Sequence, residues 1–275
     1  MIDLRTLALE LVAAYAERRP LATPPSTRDG LDLTTAYVVE GELVRMRRAA
    51  GRKTTGVKVG FANKAVWRVM KLDTLVWAHM YSDTVRYADA GLAGLDVRHM
   101  TSPKIEPEIV FKLRDPVPAG LTDAAAVLEH VEWLALGFEI IDCVYADWKF
   151  QPADFVAAYG LHAALIVGAP LVVERGNIPA LVEALSVFKV RLLKNNDVVA
   201  EGSGRNSLRS PALCLGELAT AIQHRMPGEP LVAGELISSG TLTESQPIAG
   251  GETWIAEVDG LPVGAVCCVT SPRQS

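Results

Sequence analysis

The chain has 275 residues, of which 49% are hydrophobic and 21% charged, and its formal net charge is −5 at pH 7. This composition indicates a globular protein with a sizeable core, and its acidity argues against nucleic acid as the main partner. No apolar run approaches the roughly 20 residues of a membrane span, and Met1 is not followed by the basic and apolar stretches of a signal peptide. We therefore expect a cytoplasmic protein with no membrane segment.

The first fifty residues are predicted to be helical. Leu7 and Leu11 belong to an apolar series at helical spacing, which predicts a helix over residues 3–19. The prolines and glycine of residues 20–31 predict a loop, and a second helix is expected over about 33–49.

After residue 50 the pattern changes to short apolar strands separated by helices. The elements expected up to residue 186 are a strand at 57–61, a helix capped by Asn63, a strand at 105–113, a helix from Thr122 to about Ala135, strands at 136–145 and 163–173, and a helix at 178–186.

The remainder of the chain is predicted to be mostly strand. The elements expected there are a hairpin across Asn195-Asn196-Asp197, a helix opened by Ser210-Pro211, a strand at 234–243, and a hairpin of 253–258 with 263–269. Helices first and mostly strands afterwards predict an α+β fold with an antiparallel or mixed sheet rather than a doubly wound sheet. We expect residues 1–50 to form an N-terminal helical segment and residues 51–275 a β-rich catalytic core.

The four cysteines, Cys143, Cys214, Cys267 and Cys268, are predicted to be reduced. Their spacing does not match a zinc site. Cys267 and Cys268 are adjacent in a predicted strand, so their side chains should lie on opposite faces. Free thiols agree with a cytoplasmic location.

Three glutamates stand in apolar surroundings and require an explanation. Glu106 and Glu108 are two residues apart in an extended run, so their side chains should share one face of a strand, and Glu139 lies in a second strand-like run. Carboxylates in such settings are costly to bury unless a cation pairs with them. A triad of oxygen ligands suits Mg²⁺ or Mn²⁺. The alternatives are a solvated strand face for Glu106 and Glu108 and a salt bridge to an arginine for Glu139.

A series of short motifs from about Ala36 to the C-terminus carries a family resemblance. They are Gly56-Val57-Lys58-Val59-Gly60, Ser82-Asp83, Ile105-Glu106-Pro107-Glu108-Ile109, Gly137-Phe138-Glu139-Ile140-Ile141-Asp142, Asp147-Trp148-Lys149 and Ser239-Gly240-Thr241. In order and spacing they resemble the fumarylacetoacetase-like superfamily, and within it the branch of 2-keto-4-pentenoate hydratases and 4-oxalocrotonate decarboxylases.

The resemblance implies a mixed β-roll with N-terminal helices and a Mg²⁺ or Mn²⁺ ion held by the three glutamates. It also implies that Lys58 lies at the active site and that Asp83 and the turn of Ser239 and Thr241 line it. Lys58 would bind the substrate carboxylate or carry a proton, with a pKa lowered in an apolar pocket. Asp83 would orient water or act as a base, although a turn-forming aspartate is an equal alternative.

Further candidates contact the substrate. Ser239 and Thr241 would bind its carboxylate, with a structural strand end as the alternative, and His162 would line the site, with a buried structural histidine as the alternative. Arg205 would bind a second carboxylate, which favours a diacid. His79 and Lys149 are candidates for which a structural role is also open. The chain departs from the family pattern after Gly60, at Ser82, at Gly202-Ser203-Gly204-Arg205 and at Tyr159-Gly160-Leu161-His162. These positions lie where substrate contacts are expected, so the departures concern the identity of the substrate and not the metal ligands.

The implied activity is that of a lyase in the catabolism of an aromatic compound. A hydratase of a 2-hydroxy-2,4-dienoate comes first and a 4-oxalocrotonate-type decarboxylase second. An acylpyruvase-type hydrolase ranks third, because no His-x-x-Glu occurs near residues 20–35 or 60–70. The expected partners are a small 2-oxo acid substrate, further copies of the chain in a homo-oligomer, and a partner enzyme of the same pathway; a purely partner-binding subunit is the remaining alternative.

Overall fold

The structure is a computed structural model that describes residues 3–226 and 228–272. Its α-helices are α1 Leu4–Ala16, α2 Pro25–Arg28, α3 Leu33–Ala49, α4 Lys64–Met70, α5 Ala124–Leu128, α6 Pro152–Ala157, α7 Ile178–Val187 and α8 Pro211–Arg225. Its strands are β1 Thr54–Gly60, β2 Val76–Tyr81, β3 Val85–Tyr87, β4 Leu92–Leu95, β5 Pro103–Leu113, β6 Val131–Asp142, β7 His162–Val167, β8 Leu171–Val172, β9 Lys189–Lys194, β10 Asp197–Ser203, β11 Leu236–Ser238, β12 Gln246–Pro247, β13 Thr253–Asp259 and β14 Val266–Thr270.

Several helices begin at an aspartate or asparagine whose side chain accepts hydrogen bonds from the first turn. Asp3, Asp32, Asn63 and Asp123 do so at α1, α3, α4 and α5. Such a cap satisfies backbone N–H groups that have no partner inside the helix, so the sequence itself fixes these starts.

The larger sheet brings together strands that are far apart in the chain. Within the described residues its order is β2-β1-β11-β5-β6-β7-β3, with β12 paired to β5 and β8 to β6. β5 and β6 are antiparallel and pair Glu106 with Glu139, while β1 and β11 are parallel and pair Lys58 with Ser238. Because paired residues share a face, these four side chains point to the same side of the sheet.

The second sheet is formed mainly by the C-terminal part of the chain, in the order β10-β9-β13-β14-β4. The β9–β10 and β13–β14 hairpins are those predicted from the sequence. Cys268 is buried while Cys267 is partly exposed, as their positions on opposite strand faces require, and all four cysteines are free thiols.

The N-terminal helices pack against the segment that precedes β7. α3 lies against α1 and α6. The carboxylate of Asp154 in α6 is fully buried and accepts hydrogen bonds from the backbone N–H of Ser26 (2.7 Å) and of Gln151 (2.8 Å), and from the Ser26 hydroxyl. Asp154 thereby fastens α2 to α6.

Of the helices in the described part of the chain, none combines the length and apolarity needed to cross a membrane.

Several predicted elements are wrong in extent; for example, the strand expected over 163–173 is divided into β7 and β8. The helix expected from Thr122 to Ala135 ends at Leu128, and β6 begins at Val131, because pairing of Val131–Asp142 with β5 and β7 overrides local helix preference. The strand expected over 234–243 covers only Leu236–Ser238, since the chain then turns at Gly240 with φ +91°. α2, which lies inside the loop expected over 20–31, was not predicted, and neither were α6, β2–β4 and β12.

His79 has a structural position in the fold. Its ring lies 2.7 Å from a carboxylate oxygen of buried Glu40 and 3.5 Å from one of Glu229. Burial disfavours the imidazolium form, but the hydrogen bonds to Glu229 and Glu40 outweigh it and raise the pKa of His79 to about 10. His79 is therefore a fixed cation that links α3, β2 and the segment before β11.

We expect His79→Gln to lower the free energy of unfolding in a pH-dependent way. Because the pKa is raised in the folded state, the stabilisation is complete below the unfolded pKa of about 6.5 and disappears as the pH rises through about 10. Urea unfolding of wild type and variant should therefore differ most near pH 6, by on the order of a few kcal/mol, and least above pH 10. A difference that is constant over this range would contradict the assignment.

Candidate metal centre

The three glutamates singled out in the sequence converge in space. Glu106, Glu108 and Glu139 each offer a carboxylate oxygen, and these oxygens lie within 4.8 Å of one another. Glu108 and Glu139 are fully buried, whereas Glu106 is partly exposed. The convergence follows from the register of β5 and β6, which pairs Glu106 with Glu139 and places Glu108 opposite Gly137 on the same face.

Glu108 is held in one orientation by two donors. The Ser238 hydroxyl donates to its Oε2 at 2.5 Å and the Gly240 N–H donates to the same oxygen at 2.8 Å. Gly240 has a φ of +91°, and a Cβ there would lie 2.5 Å from the Ala62 side chain, so this turn requires glycine. The other oxygen, Oε1, is buried without a hydrogen-bond partner in the described chain. A buried oxygen of this kind indicates a missing ligand.

Lys58 is buried beside the triad. Its Nζ lies 2.8 Å from Glu139 Oε2, an ion pair that lacks hydrogen-bond geometry, and 4.9 Å from the ring centroid of Phe155. Gly160, at φ +60°, lies so close that a Cβ on it would be 2.8 Å from Lys58 Cδ. The turn Tyr159–Leu161 therefore rests directly on the lysine stem and closes this side of the site.

His162 holds the other oxygen of Glu139. Its Nδ1 lies 3.0 Å from Glu139 Oε1, and its Nε2 lies 2.9 Å from Thr84 Oγ1. Burial outweighs the neighbouring carboxylate and lowers the pKa of His162, which favours the neutral ring. A neutral ring with its proton on Nδ1 donates to Glu139, and the single proton of the Thr84 hydroxyl is then shared between His162 Nε2 and the backbone oxygen of Tyr81, which lies 2.8 Å from Thr84 Oγ1.

The electrostatics of the cluster call for a cation. Burial raises the pKa of Glu106 to about 7 and, together with the charges of Glu139 and Glu106, raises that of Glu108 well above its ordinary value. Burial also opposes ionisation of Glu139, but Lys58 and His162 outweigh it and lower its pKa. One ammonium group thus faces three carboxylates, and a divalent cation would supply the missing positive charge.

The pKa of Lys58 corrects a prediction. A lowered value was expected from an apolar pocket, and burial does act in that direction, but the charges of Glu139, Glu106 and Glu108 outweigh it and raise the pKa of Lys58. The lysine is therefore a charged group of the cluster.

The other predicted substrate-binding residues lie on the segment after β11 or on a turn that is hydrogen-bonded to that segment. Ser239 is fully buried on the turn after β11, and its hydroxyl has no partner among the described residues. The Thr241 hydroxyl donates to the backbone oxygen of Thr243 at 2.8 Å. Arg205 is exposed in a short 3-10 turn, Gly204–Asn206, which is tied to the same segment by a hydrogen bond of 2.7 Å from Asn206 Nδ2 to the Leu242 oxygen.

Asp83 and Lys149 lie outside the cluster. The carboxylate of Asp83 forms an ion pair with Arg52 on an exposed turn after β2, and in the described chain it makes no hydrogen bond to the triad or to Lys58. Lys149 is exposed and lies 3.2 Å from Asp147.

Sequence reasoning missed Ser238 and the contact of His162 with Glu139. Ser238 directly precedes the Ser239-Gly240-Thr241 motif, but the sequence offers no sign that it, rather than Ser239, reaches Glu108.

Comparison with known proteins gives relatives over nearly the whole chain. No family model matches. The chain is 30% identical over 265 residues to a 4-oxalocrotonate decarboxylase of Pseudomonas sp. (strain CF600), covering 94% of this chain and 96% of that protein. It is 26% identical over 258 residues to a 2-hydroxyhexa-2,4-dienoate hydratase of Comamonas testosteroni, covering 94% of each.

The fold has a counterpart among solved structures. The 4-oxalocrotonate decarboxylase from Pseudomonas putida G7, complexed with magnesium and adipate, superposes with a TM-score of 0.85 at 24% sequence identity, over 98% of this chain and 97% of that one.

Proposed function

The chain belongs to the family of 2-keto-4-pentenoate hydratases and 4-oxalocrotonate decarboxylases, and on this basis we propose that it is a divalent-metal-dependent lyase acting on an unsaturated 2-oxo acid. The first candidate is a hydratase that adds water to a 2-hydroxy-2,4-dienoate in the breakdown of an aromatic compound. The observation that carries the proposal is the convergence of Glu106, Glu108 and Glu139 within 4.8 Å of one another, with Glu108 Oε1 unpartnered in the described chain.

Glu106, Glu108 and Glu139 would hold Mg²⁺ or Mn²⁺, because all three supply the oxygen ligands that these cations prefer. The decarboxylase of known structure was obtained with magnesium, which supports the assignment. A bound ion would supply a Lewis acid that draws electron density from the 2-oxo group and favours the enol form of the substrate.

The surrounding residues orient two of the glutamates and cover Lys58. Ser238 and the Gly240 N–H orient Glu108, and His162 orients Glu139. Lys58 adds a positive charge next to Glu139, where it would attract the substrate carboxylate. Because Phe155 and the turn Tyr159–Leu161 cover Lys58, this charge acts in a site shielded from water.

Two hydroxyls on the segment after β11 would bind substrate. The buried Ser239 hydroxyl, unpartnered in the described chain, is a free donor for the substrate carboxylate. Thr241 would take part once its hydroxyl leaves the Thr243 oxygen. Asp83 is paired with Arg52 and lies outside the cluster, so its role in orienting the attacking water or accepting its proton stays a prediction.

Decarboxylation of a 4-oxalocrotonate-type diacid is the second candidate. It is favoured by the relative at 30% identity, which is a 4-oxalocrotonate decarboxylase. The same enol-stabilising site serves both reactions, because loss of CO₂ leaves the electron pair in the conjugated system that the 2-oxo group accepts. The exposed guanidinium of Arg205 would bind the second carboxylate of the diacid.

We expect Arg205→Gln to raise KM for 4-oxalocrotonate by about tenfold and to leave KM for 2-hydroxypenta-2,4-dienoate unchanged, because only the diacid has a second carboxylate. Steady-state kinetics with both substrates test this. Arg191→Gln, another exposed arginine that pairs with Glu257 on the second sheet, is the control. Equal effects on both substrates would contradict the role of Arg205.

The reaction itself is tested with both substrates, with Mg²⁺ or Mn²⁺ and with EDTA. Gain of one water on the dienoate identifies the hydratase, and release of CO₂ from the diacid identifies the decarboxylase; either should stop in EDTA. If neither substrate reacts while metal still binds, the proposed function is wrong in its substrate, and the departures at Phe61, Ser82 and His162 define a different 2-oxo acid.

We also propose that the enzyme is cytoplasmic, as its free thiols suggest, and that it forms a homo-oligomer and associates with a partner enzyme of its pathway. Partly exposed apolar side chains such as Val38 (54%) and Val69 (77%) are compatible with self-association. Light scattering after size exclusion would give the mass, and a monomer at all concentrations would contradict self-association.

A further inference from the structure

A cavity of about 720 Å³ lies next to the triad but is separate from it. Its lining includes Arg47, Arg52, Arg86, His99, Asp83 and His162. Of the described residues, neither Lys58 nor any of the three glutamates belongs to the lining. The volume is in the range of cavities that bind small organic molecules.

The cavity is locally positive in a chain whose net charge is −5. Three arginines line it, against two aspartates. Asp83 is neutralised by Arg52, and the carboxylate of Asp142 already accepts the backbone N–H groups of Thr101 (2.9 Å) and Ser102 (2.6 Å). Positive charge is therefore left over for an anion.

Arg47 is the residue best placed to bind that anion. Its guanidinium packs against two aromatic rings that are nearly perpendicular (82°), 4.5 Å from the centroid of Tyr81 and 4.4 Å from that of Tyr159. Among the described residues it has no carboxylate partner. Stacking restricts the side chain, so less freedom is lost when its planar fork pairs with a carboxylate.

The remaining walls favour an organic anion. Val12, Met46, Leu95 and Met100 also line the cavity and offer apolar contact to a short carbon chain. His162 has one ring nitrogen on Glu139, 3.0 Å away, and is at the same time part of the cavity wall. One imidazole ring thus separates the cavity from a carboxylate of the triad.

We propose that this cavity binds a small carboxylate, which pairs with Arg47 one side chain away from the triad. The carboxylate belongs either to a separate molecule or to the far end of a substrate, in which case Arg47 rather than Arg205 would bind the second carboxylate of a diacid. Binding here does not depend on the proposed lyase activity, because it requires neither metal nor turnover.

The test is calorimetric titration of succinate into protein freed of metal by EDTA. Wild type should bind, Arg47→Gln should bind at least about tenfold more weakly, and Arg45→Gln should bind as wild type does. Arg45 is a matched control because it lies on the same helix, exposed and paired with Glu42. No binding by wild type, or equal binding by Arg47→Gln, would overturn the proposal, as would binding that requires Mg²⁺ and is lost in Glu106→Gln.

A second measurement needs no variant. Phenylglyoxal modifies accessible guanidinium groups, and succinate should protect Arg47 but not Arg45, as read from peptide masses; absence of protection at Arg47 would overturn the proposal. In assays of the active enzyme, competition between succinate and substrate would mean that the far end of the substrate naturally occupies the cavity. Succinate that changes the rate without competing indicates a separate molecule.

Discussion

Glu108→Gln should reduce kcat/KM by about a thousandfold or more while leaving the fold intact, because it removes one charged ligand from the metal centre. The substitution conserves shape. The glutamine oxygen can still accept the Ser238 hydroxyl and the Gly240 N–H, and the amide nitrogen replaces Oε1, which has no partner in the described chain. Metal affinity, measured by calorimetry with Mn²⁺, should fall with activity.

Glu132→Gln is the matched control, since Glu132 lies on the same sheet, on β6, and is exposed. It should leave metal binding and activity unchanged. If Glu108→Gln kept wild-type activity, or lost activity without losing metal affinity, the triad would not be the metal centre.

Lys58→Met should have the second largest effect. The ammonium is 1% exposed and lies 2.8 Å from Glu139 Oε2, so its removal leaves a buried carboxylate without its cation. Breaking such a pair costs on the order of 3–5 kcal/mol of stability. Activity should fall by about a hundredfold or more, because the charge that attracts the substrate carboxylate is lost.

A specific pattern separates this role from a loss of packing. The decrease in the free energy of unfolding caused by Lys58→Met should be largest in EDTA. Mg²⁺ should largely reverse it, because the ion replaces the missing positive charge among the carboxylates. Urea unfolding with and without Mg²⁺ measures this, and Lys53→Met, at an exposed lysine just before β1, is the control. Equal destabilisation with and without Mg²⁺ would mean that Lys58 has only a packing role.

The convergence of the three glutamates could be predicted from a local signal together with the family resemblance, and their role as metal ligands stays a prediction. The two-residue spacing of Glu106 and Glu108 fixes their common face, and the apolar run around Glu139 predicts a buried strand. The partners of these glutamates could not be predicted in the same way. Ser238 and Glu108 are 130 residues apart, and only the pairing of β11 with β5 brings them together.

The fold class was predictable and is confirmed: the chain has the fumarylacetoacetase-like mixed fold, matching the P. putida G7 decarboxylase with a TM-score of 0.85. The boundaries of helices and strands were less predictable where pairing between distant strands decides the structure. At residues 122–135 the predicted helix gives way to β6 for this reason. Helix starts with a capping aspartate or asparagine, such as Asp32 and Asn63, were placed correctly because the cap is local. The division into residues 1–50 and 51–275 stays a prediction.

His162 shows how a local departure acquires meaning only in the fold. In the sequence it was one of several residues that differ from the family pattern. In the structure its ring joins Glu139 to the wall of the cavity that contains Arg47. The connection depends on the register shift between β6 and β7 at Ile140 and Ile141, which sequence patterns do not reveal.

The most direct test of the central claim is the anomalous scattering of Mn²⁺ in crystals of the wild-type protein soaked with the metal. The account predicts one strong peak about 2.1 Å from an oxygen of each of Glu106, Glu108 and Glu139, and no such peak in Glu108→Gln. An empty triad in crystals of active enzyme, or a peak elsewhere that supports activity, would contradict the proposed metal centre and the mechanism built on it.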